Sequence, residues 1–182
     1  DVIFGTPHVA MVFNLPVPAM AFAGSQPNYS SLTPLLLVRP RALFHGLPNH
    51  VKSKTLSFEL YVKGNVPAAW FLLHDPTLAV TPTFTAVADE TAYIPGAIEW
   101  ATGTAATNTI TNKGHVHNAG MASASVKGDV SGGGEVVTRL ILTRGTFDHT
   151  DDVAADLYCL AVGGDGGAIA NVTAFIRAAD IF

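Results

Sequence analysis

The chain has 182 residues, a length that suits one domain. Apolar residues make up 48% of it, while only 13% are charged, about half the usual share. A net charge of −4 and the lack of any Lys/Arg-rich tail exclude a polycation that coats nucleic acid. The apolar stretches at 16–23 and 68–73 are too short and too interrupted to suggest a membrane span.

So little charge leaves the surface of a soluble monomer poorly wetted. Neighbouring subunits are therefore expected to cover much of it, since obligate interfaces resemble a core cut in half. The one cysteine, Cys159, sits in an apolar run and reads as a buried thiol rather than half of a disulfide. Intracellular assembly is the expectation, without a signal peptide. The chain opens on Asp1 rather than Met, as expected of a piece cut from a precursor or trimmed at the bench.

In chain order, Val9, Met11, Phe13 and Leu15 form a first period-two stripe. Residues 32–46 carry the best helix signal, but Pro34 and Pro40 limit it to one or two turns. Alternation is clearest at 55–63, where Leu56, Phe58, Leu60 and Val62 oppose Ser57, Glu59, Tyr61 and Lys63. The near-continuous apolar run at 68–74 suits a buried central strand. Weaker strands are predicted at 81–87 and 96–102, and short strands with exposed loops across 88–130.

The last third reads as strands joined by Gly- and Asp-rich turns, at 134–144, 156–162 and 171–177. Strands are predicted above all at 9–15, 55–62, 136–142, 157–162 and 172–176. Eight or so strands in one domain spanning 1–182 give an all-β fold. Its simplest form is a single eight-stranded antiparallel jelly-roll β-sandwich with little helix.

Several segments, in this order, resemble the small coat-protein jelly rolls of plant picorna-like viruses, the secovirus family with its comoviruses and cheraviruses. Val9-Ala10-Met11-Val12-Phe13-Asn14-Leu15 looks like strand B, and residues 35–46 like the short apolar segment after it. Residues 53–64, ending in Lys63-Gly64, look like strand C. Residues 157–162 and 172–177 look like the closing pair H and I, followed by Asp180-Ile181-Phe182. The resemblance implies a structural coat protein, released from a polyprotein, in an icosahedral shell of pseudo-T=3 type. Its implied partners are other capsid subunits and an enclosed single-stranded RNA genome touched weakly or indirectly, with no membrane. Its implied location is the virion, assembled in the host cytoplasm.

Candidate chemistry is sparse. His115-Val116-His117 would put two imidazoles on one strand face, a metal-binding spacing, yet no third ligand stands nearby in sequence. Asp148, Asp151, Asp152 and Asp156 surround His149; carboxylates of this kind can hold Ca²⁺, but a solvated loop is the plainer reading. The glycine runs at 131–134 and 163–167 precede no predicted helix, so they are turns rather than phosphate loops. No Gly-x-Ser-x-Gly motif occurs. No catalytic residue, cofactor or metal is therefore expected.

Arg39, Arg41, Lys52, Lys54 and Lys63 are half of the ten basic residues and fall in one segment, opposed by Glu59. Of these, Arg39, Arg41, Lys52 and Lys54 are the expected contacts to a neighbouring subunit or to RNA. Subunit pairing is favoured, because the aromatics do not interleave with the charges as base stacking requires. The charges are expected to project from a loop edge beside strand C. The alternative function is a carbohydrate-binding or adhesion sandwich. It needs aromatics exposed in a groove, whereas Trp70 and Trp100 lie in strand-like runs.

Overall fold

The computed structural model describes residues 4–88, 95–103, 109–122, 132–136, 141–142 and 156–181. In chain order come β1 (Phe4–Val17), β2 (Phe22–Ala23), β3 (Gln26–Pro27), a 3-10 turn at Tyr29–Ser31, and β4 (Thr33–Pro40). The hairpin of β5 (Leu43–Phe44) and β6 (Leu47–Pro48) leads into β7 (Lys52–Lys63), β8 (Ala68–His74) and β9 (Thr77–Leu78). The middle holds β10 (Thr85–Ala88), β11 (Pro95–Ala101), β12 (Ile110–Asn112) and β13 (His115–Ala122). Last come β14 (Gly132–Val136), β15 (Ile141–Leu142), β16 (Tyr158–Gly164) and β17 (Ile169–Ile181). The 3-10 turn is the only helical element among the described residues.

Two antiparallel sheets carry the fold. The first has the order β1-β17-β7-β14, with β15 continuing the same edge of β7. The second has the order β10-β11-β4-β16-β8-β13. Counting β14 and β15 as one position, the long strands interleave as 1-8-3-6 in one sheet and 2-7-4-5 in the other. That interleaving is a jelly roll. The hairpin β10–β11 widens the second sheet beyond β4.

Period-two patterning builds the core. Ala10 and Val12 of β1, Phe58, Leu60 and Val62 of β7, and Val172, Ala174 and Ile176 of β17 turn inward and are buried. They meet Leu36, Val38, Trp70, Leu72, Leu160 and Val162 of the second sheet. The second sheet is buried on its other face as well: Leu37, Leu73, Cys159 and Ala161 pack under Met20, Leu32 and Ile110. A strand buried on both faces has no polar side to alternate with. This is why β4, β8 and β16 read as continuous apolar runs.

Two expectations are corrected here. Residues 32–46 hold no helix; they form β4 and β5, the first strand of the β5–β6 hairpin. Pro34 lies where the pairing with β16 slips register and Pro40 ends the strand, so neither sits mid-ladder. Residues 53–64 are the third strand of the roll, not the second; that place belongs to β4. The strands predicted at 9–15, 55–62, 157–162 and 172–176 are present. Of the strand predicted at 136–142, Val136 ends β14 and Ile141–Leu142 form β15, while 137–140 lie outside the described residues.

Candidate functional site

The four basic residues flank the crossover from one sheet to the other. Arg39 lies opposite Glu99 across β4 and β11, and its Nε donates to Glu99 Oε1 at 2.6 Å. Its guanidinium stands 3.8 Å over the Phe84 ring. Arg41 donates its backbone N–H to Ala97 O at 2.9 Å and Nη1 to Gly96 O at 3.4 Å. Buried Asn49 locks this corner, its amide donating to Arg41 O at 3.0 Å and Ala97 O at 2.8 Å. Lys52 and Lys54 open β7 in the other sheet, opposite Ile181 and Ala179. Arg39 therefore leaves a strand of the second sheet rather than a loop edge, Arg41 follows the end of that strand, and Lys52 and Lys54 belong to β7 itself.

A second constellation forms where three strands of one sheet end together. His74 closes β8, Tyr158 opens β16 and His115 opens β13, and register places the three in one row. The His74 ring stacks on Tyr158 at 4.7 Å between centroids and lies 6.5 Å from the His115 ring. His117 stands edge-on to Tyr158 at 6.2 Å. The chain leaves β8 through Asp75 in the left-handed region, φ 51°, a conformation that Asp tolerates better than most residues. Gly114, φ 60°, passes so close to the carbonyls of His74 and Asp75 that a side chain there would clash.

Asp75 is tied to the start of β16. Its N–H donates to Leu157 O at 2.7 Å, and its Oδ1 accepts the Leu157 N–H at 2.8 Å. Its Oδ2 lies 3.5 Å from His74 Nε2, and Asp156 Oδ1 lies 3.3 Å from the same nitrogen. Burial, then the charges of Asp156 and Asp75, push the Tyr158 phenol above its ordinary range.

The fold thus joins His115, His117 and Asp156, which sequence patterning had placed in two unrelated segments. His74 and Asp75 complete the group; a His-Asp pair at a strand end gives no signal until register puts Tyr158 and His115 beside it. Asp148, His149, Asp151 and Asp152 lie outside the described residues.

Large apolar side chains reach solvent on several faces. Phe13 (57% exposed) and Tyr61 flank Phe175 edge-to-face on the outside of the first sheet, at 5.8 and 5.6 Å. Leu43 and Leu47 (68%) project from the β5–β6 hairpin. Val116 and Met121 stand on β13, the edge strand of the second sheet. Trp100, half-buried, lines an open cleft of about 390 Å³ with Thr81, Thr83, Thr85 and Thr102.

No family model, no curated protein and no solved structure matches this chain.

Proposed function

We propose that this chain is a structural coat protein whose jelly roll packs against other jelly rolls in an icosahedral shell around single-stranded RNA. Topology alone does not select this reading, since lectin and cupin domains share the architecture. The observation that carries it is the spread of exposed large apolar side chains over separate faces: Phe13, Leu47 and Met121 stand on different elements. A single binding groove concentrates such residues in one patch, whereas a shell subunit needs several contact faces. The low charge of the chain agrees with covered flanks. Arg39 is held by Glu99 and Phe84, so contacts to neighbouring subunits are assigned first to Arg41, Lys52 and Lys54. The shell assembles in the host cytoplasm.

Paired surface variants test this. Leu47→Ser removes mostly exposed apolar surface and should shift folding stability by less than about 1 kcal/mol, while Phe13→Ser also loses the edge-to-face contact with Phe175 and should cost about 1–2 kcal/mol. The variants should sediment as monomers under conditions where the unsubstituted chain associates. Association unchanged in both would count against the reading.

A sugar-binding module is the second reading, favoured by Trp100 among threonines in the open cleft. Trp100→Ala would then abolish retention on a carbohydrate matrix while the chain stays monomeric throughout.

A further inference from the structure

We propose that His74, Asp75 and Asp156 form a binding site for a divalent transition metal, with zinc as the best-fitting ion. The distances suit an ion. His74 Nε2 lies 3.3 Å from Asp156 Oδ1 and 3.5 Å from Asp75 Oδ2. Ligand atoms bonded to a tetrahedral zinc at about 2.0–2.1 Å stand roughly 3.4 Å apart. Two edges of the ligand triangle therefore already have the required length. One ligand atom from each of the three residues lies within 4.8 Å of the other two, so a modest carboxylate rotation closes the third edge.

Charge also favours an ion. Two carboxylate oxygens face one ring nitrogen, and a cation at the centre accepts electron pairs from all three atoms at once. It also offsets the repulsion of two carboxylates held this close.

The surroundings fix the ligands. Leu157 N–H occupies Asp75 Oδ1 and so turns Oδ2 toward His74. Stacking on Tyr158 sets the imidazole plane. Such outer contacts hold metal ligands in place. About a quarter of each of the His74 and Asp156 side chains is exposed, and half of Asp75, so solvent reaches the site. Water supplies the fourth ligand, because the His115 ring, at 6.5 Å from His74, lies beyond the roughly 5 Å that two imidazoles on one zinc require. An imidazole in the donor set selects against Ca²⁺ and Mg²⁺, which take oxygen ligands.

The bound ion would clip the end of β8 to the start of β16. This inference does not depend on the shell reading, since it concerns the folded chain by itself.

The test uses the purified chain, stripped with chelator and then titrated with ZnCl₂. Zinc at about a hundred times Kd should raise the melting midpoint by roughly 5–10 °C. CaCl₂ at the same concentration should not. Asp156→Asn and His74→Gln should each weaken zinc binding at least tenfold, while the double variant His115→Ala/His117→Ala should retain it. No binding, equal binding in every variant, or loss only in the His115/His117 variant would overturn the proposal. Should the ligand variants misfold, CoCl₂ added to the unsubstituted chain decides. A visible absorption band of tetrahedral cobalt, abolished by one equivalent of zinc, supports the site; its absence overturns it.

Discussion

Arg39 and Glu99 face each other across β4 and β11 with 2.6 Å between Nε and Oε1, and Phe84 roofs the guanidinium at 3.8 Å. About a third of the Arg39 side chain is exposed and a fifth of Glu99, so solvent screens part of the attraction. The pair fastens the β10–β11 extension onto the jelly roll proper.

A double-mutant cycle with Arg39→Ala and Glu99→Ala should give a coupling of about 0.5–1 kcal/mol in chemical denaturation. Arg39→Lys should also lose stability, because a lysine keeps the charge but not the planar stack on Phe84. Coupling indistinguishable from zero would show that the contact is incidental.

Two left-handed glycines separate backbone conformation from close approach. Gly24, φ 65°, has open space where a Cβ would go, whereas Gly114, φ 60°, faces the carbonyls of His74 and Asp75. Gly24→Ala should therefore cost about 1 kcal/mol, the conformational penalty alone. Gly114→Ala adds a steric clash with backbone and should cost well over about 2 kcal/mol. Equal losses in the two melts would refute this account of the β12–β13 turn.

Cys159 is fully buried in the middle of β16, and burial pushes its thiol far above the usual range. The native chain should react with a thiol reagent only as fast as it unfolds. The unfolded thiol ionises near 9.0 while the folded one keeps its proton. The unfolded state then binds fewer protons, so stability falls as pH rises past about 9, by up to about 1.4 kcal/mol per pH unit from this group. Cys159→Ala should lessen that alkaline slope. An immediate reaction of the native thiol would contradict the burial.

How much of this was legible in the sequence depended on burial. At β7, Phe58, Leu60 and Val62 point inward and Tyr61 outward, so alternation read the strand correctly. Even there Glu59 is buried, because Arg177 Nη2 at 3.1 Å and the Tyr61 hydroxyl at 2.9 Å cover it. β4 was misread because Leu35, Leu36, Leu37 and Val38 are all fully buried, which erases the period, and two prolines suggested a broken helix. The His74 cluster was visible only in halves. Asp156 and His115 flank His74 because the strand order places β13 and β16 on opposite sides of β8, and no local pattern encodes that order.

In the proposed shell, neighbouring subunits cover the exposed apolar side chains Phe13, Leu47 and Met121. The most direct measurement is electron microscopy of material purified from the native source with an antibody against this chain. Closed icosahedral particles containing the chain and RNA are the expected result. The same preparation yielding only dispersed monomer, with no particle in any fraction, would contradict the account.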